Sequence, residues 1–279
     1  MSGFSRSFEL HAGPIGLRLG CDGDAEEISR AEVQARKAFP PILPSLADEL
    51  GTLRRKIEID KPPPTLSGRV ARSMYEAALP FADEFVTPMA AVAGAVADYM
   101  LEQIARNTRL RRAFVNNGGD IAIHLNPGTS MRLALVGNIA APAVDGFIHI
   151  DAGSPVRGVA TSGWRGRSFS FGIADSVTVL ARTAATADVA ATLVANAVNI
   201  DDAAIVRRPA RDLLPDSDLG DMAVTVSVPP LSGAKIEAAL DRGELRAKHL
   251  VDAGRIEAAA LFLGGETRLV DPRGMLAAG

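Results

Sequence analysis

The sequence predicts an α+β fold with a largely antiparallel sheet, and three observations lead there. Short strand-like runs are grouped and separated by longer helical blocks, the pattern of segregated strands and helices. The composition is that of a globular chain: 279 residues, 47% hydrophobic and 23% charged, enough for one large core. No GxGxxG, Walker A or GxSxG segment occurs, which argues against the common Rossmann, P-loop and α/β-hydrolase sites.

The elements follow in order. Phe4 to Leu19 alternates polar and apolar residues around His11-Ala12-Gly13-Pro14, the pattern of two strands joined by a turn. Ala25 to Phe39 reads as a helix with Asp24 at its N-cap. Pro40, Pro41 and Pro44 interrupt it, and helical spacing resumes from Ser45 to Arg55. Pro62-Pro63-Pro64 is a rigid break, but the segment before it is too poor in strands to fold alone. The expected organisation is therefore a single domain over residues 1–279, with residues 1–64 leading into the main body. Ser67 to Leu79 reads as a helix. Thr87-Pro88 opens another, running through Ala97 and Met100 towards Ile104, with small residues that permit close packing.

Strands are expected at Ala113–Asn116, Ile121–Leu125, Met131–Gly137, Gly146–Asp151, Arg157–Thr161 and Ser176–Leu180. A helix from Thr186 to Val198, a strand at Ala223–Val228, a helix from Lys235 to Asp252 and a strand at Ala258–Leu263 complete the chain.

Charge and cysteine content exclude several functions. Thirty basic and 33 acidic residues leave a net charge of −3, a poor footprint for a nucleic-acid binder. The lone Cys21 allows no intrachain disulfide, and no Cys/His zinc spacing occurs. Met1 to Leu10 has no apolar signal core, and the most apolar run, Pro88 to Ala97, is far shorter than the roughly 20 residues a membrane span needs. A cytoplasmic location follows by exclusion, with no membrane partner and with room for a homo-oligomer.

Three segments combine small residues, hydroxyls and carboxylates. Asn116-Asn117-Gly118-Gly119-Asp120 sits between two strands, where positive φ lets a turn present bare backbone to a ligand. Thr161-Ser162-Gly163, followed by Arg165 and Arg167, suits phosphate oxygens, and Trp164 could stack on a ring. On the third, Asp188 and Thr192 lie four apart on one helix face and offer two hard oxygen donors of the kind magnesium takes. The bland alternatives are a hairpin turn, a solvated loop and a surface pair. Four scattered histidines show no metal spacing; His149 and Asp151, two apart on one strand face, are the only histidine pairing suited to acid–base work.

Taken as an ordered set, the alanine/glycine-rich helix, NNGGDI, ATSG and ADVAAT resemble the ApbE superfamily, whose best-known members are FAD:protein FMN transferases. The resemblance covers Pro88 to Val198. The segments PMAAVAGAVAD and GIADSVTVLA are more similar to an uncharacterised ApbE-like family than to the transferases themselves.

The resemblance implies a T-fold-like arrangement, FAD or another flavin nucleotide as ligand, and Mg²⁺ at the AD-x-x-AT helix. Asp188 and Thr192 would be metal ligands and catalytic residues. Asn117, Gly118, Gly119 and Asp120 would form the nucleotide-facing turn, with Thr161, Ser162, Gly163, Arg165 and Arg167 along the phosphate or flavin. In the transferases, magnesium polarises the FAD pyrophosphate while a protein threonine attacks it. The chain departs from them twice. Val92-Ala93-Gly94-Ala95-Val96 stands where they carry Lys-Gly, and Arg167 to Gly172 replaces a histidine-containing segment. Two main readings follow: a magnesium-dependent, transferase-like enzyme acting on a flavin or related nucleotide diphosphate, or a non-catalytic flavin or nucleotide binder. A third is a scaffold subunit with a vestigial site.

Overall fold

The computed structural model describes residues 4–138 and 143–278. Its strands are β1 (Arg6–Ala12), β2 (Ile15–Asp22), β3 (Arg112–Asn117), β4 (Asp120–Leu125), β5 (Ser130–Leu135), β6 (Gly146–Asp151), β7 (Gly158–Ser162), β8 (Ser176–Ala181), β9 (Val206–Pro209), β10 (Ala223–Ser227), β11 (Ala258–Leu263), β12 (Glu266–Val270) and β13 (Leu276–Ala278). Its helices are α1 (Ala25–Ala38), α2 (Ile42–Asp48), α3 (Leu50–Leu53), α4 (Arg69–Ala78), α5 (Val92–Ala105), α6 (Ala184–Ala197), α7 (Ala210–Leu213) and α8 (Gly233–Asp252). The α+β class with antiparallel pairing is as expected.

The chain divides into two compact units. The first comprises Met1–Arg132, Ile150–Ala160 and Ala181–Val189; the second comprises Leu133–His149, Thr161–Leu180 and Ala190–Gly279.

In the first unit β1 and β2 form a hairpin, β2 pairs with β3, β3 with β4, and β4 with the start of β7, all antiparallel. Helix α5 packs on β3 and β4, with α1 and α4 against it. Its small side chains make that possible. Gly94, Ala95, Val96, Ala97, Met100 and Ile104 are all buried, so the helix is apolar around most of its surface, as a core helix should be.

In the second unit β8, β11 and β12 run antiparallel, with α8 across β11 and β12. All six residues of β11 are buried, and a strand covered on both faces shows no alternation. Strand β13 pairs with β6, and β9 with β10.

Asp24 stands at the N-cap of α1, as expected, without a side-chain capping bond. Other local expectations are corrected. Thr87 precedes a 3₁₀ turn, Pro88–Ala91, rather than the α-helix itself, which starts at Val92. Helix α2 begins at Ile42 and contains Pro44 in its first turn, where a missing N–H leaves no bond unmade. Strands β9, β12 and β13 went unforeseen. Strand β12 has the burial of an exposed edge, and its polar sequence carries no clean period.

No helix among the described residues is long and apolar enough to cross a membrane; Met1–Gly3 of the N-terminal stretch lie outside the described residues.

Candidate functional site

The first turn of a helix leaves backbone N–H groups without partners in the helix itself. At α5, one of them is met from far along the chain: the Gly94 N–H donates to Asp188 Oδ2 at 3.0 Å. The neighbouring Ala93 carbonyl accepts from Asn117 Nδ2 at 3.1 Å. Adjacent residues of α5 thus receive the carboxylate of the ADVAAT helix and the amide of the NNGGD turn.

That turn is a two-residue hairpin, because Asn117 pairs with Asp120 and leaves Gly118 and Gly119 between them. Their φ values are +68° and +122°, the second a conformation that side chains rarely adopt. Asn116 Oδ1 accepts the Gly119 N–H at 2.9 Å and braces the loop. Nothing lies within 4 Å of the position where a Gly119 Cβ would point, so the turn faces open space. The flanking Asn117 and Asp120 are buried.

Helices α5 and α6 also meet through Asp98, which sequence reasoning did not assign a role. Its Oδ1 accepts the Ala184 N–H at 3.0 Å and its Oδ2 the Ala185 N–H at 2.9 Å, at the start of α6. A Cβ on Gly94 would stand 2.3 Å from the Ala184 carbonyl oxygen, so the crossing requires glycine. Burial pushes the Asp98 carboxyl up to about 6 against the pull of the Ala185 and Ala184 amides. Burial likewise pushes Asp188 up to about 7; the Gly94 and Ala93 amides oppose the shift, and the negative charge of Asp98 adds to it. The signal for Asp98 was a carboxylate directly following the alanine- and glycine-rich first half of α5.

Thr192 lies on α6 one helical turn beyond Asp188 and is half-buried. Among the described residues, no three His, Cys, Asp or Glu side chains gather into a metal cluster. Any divalent ion here would rely on a carboxylate, a hydroxyl and main-chain or ligand oxygens, a donor set magnesium accepts.

The Thr161-Ser162-Gly163 segment belongs to the second unit. The Thr161 hydroxyl is 2.8 Å from that of Thr178. Gly163 is pressed against the backbone of Asp175, with a Cβ site 2.6 Å from its carbonyl oxygen, and the backbone N–H of Trp164 donates to Ala174 O at 3.1 Å. Arg165 is already engaged. Its Nε donates to Asp175 Oδ1 at 3.1 Å, and its guanidinium lies 4.2 Å above the Trp164 ring. Asp175 Oδ2 accepts the Gly264 N–H at 2.8 Å. Ser162 is half-buried and Arg167 exposed. The tryptophan offered for ring stacking therefore stacks with the arginine offered for phosphate. His149 and Asp151 are both exposed on β6, and Asp151 accepts N–H bonds from Gly153 and Ser154 in its own turn.

A family model described as AbpE bacteria matches residues 2–269. The chain belongs to this ApbE-like family. A UPF0280 protein of Methanothrix thermoacetophila is 33% identical over 219 residues, 75% of this chain and 84% of that protein. A UPF0280 protein of Methanothermobacter thermautotrophicus is 42% identical over 118 residues, and the match spans 44% of its length. Among solved structures, the apo flavinyl transferase ApbE of Pseudomonas stutzeri matches with a TM-score of 0.51 at 11% identity, covering 98% of this chain and 97% of that one. At that identity the likeness establishes the ApbE fold and leaves activity to the residues themselves.

Proposed function

We propose that this ApbE-like protein binds a flavin nucleotide or a related nucleotide diphosphate together with Mg²⁺, and acts on it in the manner of a flavin or nucleotidyl transferase. The observation that carries the reading is the meeting of Asp188 and Asn117 on adjacent residues of α5, Gly94 and Ala93. It joins two of the three segments whose order resembles the ApbE superfamily. The Gly118-Gly119 turn beside them leaves backbone open to a ligand. A turn without side chains lets diphosphate oxygens approach the backbone closely.

The donor set fits magnesium. Asp188 and Thr192 would hold the ion, with water and diphosphate oxygens completing its shell. The groups acting on the Asp188 charge are burial, two amides and a second carboxylate, an acidic setting that a divalent cation would neutralise. When bound, the ion supplies charge stabilisation at the diphosphate. Asp188 orients itself for this through the Gly94 N–H, while Asn117 holds the turn against Ala93.

Calorimetric titration with FAD, FMN and ADP, each with and without magnesium, tests the proposal. FAD and ADP should bind only with magnesium, and Asp188→Asn should weaken them by at least about tenfold. Magnesium-independent binding, or none at all, would overturn it.

A second reading, binding without transfer, has its own support. Val92 to Val96 contains no lysine to meet a diphosphate, and Arg165 is paired with Asp175. Prolonged incubation with FAD and magnesium separates the two: a product above background rejects the pure binder.

A further inference from the structure

We propose that a cavity beside the segment between α3 and α4 is a binding site for a small cyclic carboxylate, independent of the nucleotide reading. The cavity measures about 190 Å³ and lies wholly among residues of the first unit. Pro62, Pro64, Pro88, Ile57 and Tyr75 supply the apolar part of its lining; Thr52 and the charged residues Arg55, Lys56, Lys61 and Glu58 supply the rest.

The segment is held in place from below. Leu53 and Ile57 are buried, and the Ile57 N–H donates to the Val86 carbonyl at 3.0 Å. Arg55 and Lys56, between those two anchors, are exposed. The triple proline has its φ angles set in advance, so the opposite wall needs little ordering when a ligand enters.

Charge decides the ligand class. Lys61 is matched by Glu58 at 2.5 Å. Arg55 and Lys56 make no side-chain hydrogen bond or ion pair among the described residues, and neither does the Tyr75 hydroxyl. Two unspent cations and a phenol beside a wall of prolines and Ile57 ask for an anion with an apolar body. A guanidinium fork matches a carboxylate bidentately.

Size narrows it further. A volume of about 150 Å³ is enough for benzene, so this partly open, partly charged hollow has the size for a single six-membered ring, with its carboxylate at the unpaired cations. It is below the roughly 300 Å³ at which pockets for drug-sized ligands begin, which leaves no room for a flavin.

Ligand-observed NMR titration of the full chain tests this with three probes: benzoate, which has ring and charge; benzyl alcohol, which has the ring; and inorganic phosphate, which has the charge. Benzoate should bind saturably and more tightly than either other probe. The double variant Arg55→Gln/Lys56→Gln, at two exposed positions, should weaken it by at least about tenfold with its thermal midpoint unchanged, and Tyr75→Phe, which removes only the hydroxyl, by about twofold or more. No benzoate binding, equal binding of benzyl alcohol or phosphate, or unchanged affinity in the double variant would overturn the proposal. The wild-type probe comparison stands whether or not the variants fold.

Discussion

Asp98 and Asp188 cap each other's helix. Asp98, on α5, accepts the Ala184 and Ala185 N–H groups at the start of α6. Asp188, on α6, accepts the Gly94 N–H in the first turn of α5 at 3.0 Å. A carboxylate at a helix N-terminus satisfies orphan donors and faces the positive end of the helix dipole. Here the two caps are reciprocal, so each helix fixes the start of the other.

Removing one cap should therefore be costly. Asp98→Ala leaves the amides of the buried Ala184 and Ala185 without an acceptor, an expected loss of about 1–3 kcal/mol. At this size each kcal/mol lowers the thermal midpoint by about 2–4 °C. Asp98→Asn, which keeps one accepting oxygen, should recover part of the loss. An Asp98→Ala protein that melts with the wild type would show that the caps carry no stability.

Gly94→Ala tests the helix crossing, and two effects oppose each other. Helix propensity alone favours alanine by about 1 kcal/mol. The new methyl, however, would sit 2.3 Å from the Ala184 carbonyl oxygen, which is backbone and cannot swing aside. Overpacking of that kind costs about 1–3 kcal/mol or more, so urea unfolding should show net destabilisation. A stabilised variant would mean the helices separate freely.

Acid should weaken the N-terminal sheet through Asp22. Burial alone would raise its carboxyl. Hydrogen bonds from Ser5 and Arg112, with the charges of Arg111 and Arg112, outweigh that and hold it below the ordinary carboxylate range. A folded value below the unfolded one means that the unfolded chain binds more protons in that window. The contribution is thus fully present above pH about 4 and is lost as pH falls through the folded value. Unfolding wild type and Asp22→Asn across this range should give a stability gap that shrinks with acid. A gap of constant size would exclude ionisation as its source.

At the Thr161-Ser162-Gly163 segment, the two partners of one ion pair should differ in weight. Arg165 is exposed, so Arg165→Gln should cost less than about 1 kcal/mol. Asp175 also accepts the Gly264 N–H, and Asp175→Ala should cost more, because it removes that hydrogen bond along with the ion pair. Equal melting of the two variants would assign Asp175 no role beyond the arginine.

Legibility followed the range of the interaction. The Gly118-Gly119 turn was readable because positive φ is a local demand that Asn-Gly-Gly meets on its own. Helices α5 and α6 were readable because alanine and glycine runs persist for several turns. The role of Asp98 was not, since its acceptors' partners, Ala184 and Ala185, lie 86 and 87 residues away. The partner of Arg165 was not legible either: Asp175 is only ten residues away, but the fold brings its carboxylate to the guanidinium.

By itself the sequence determined the α+β class, the glycine turn, the small-residue helices and the ordered motifs that mark an ApbE-like chain. All of these arise from backbone preferences and short-range spacing. Tertiary structure decided which carboxylate meets which donor: Asp188 the Gly94 amide, Asp98 the Ala184 and Ala185 amides, and Asp175 the Arg165 guanidinium. Buried donors must find acceptors wherever the packed chain supplies them, and here the first two pairings join residues more than eighty positions apart.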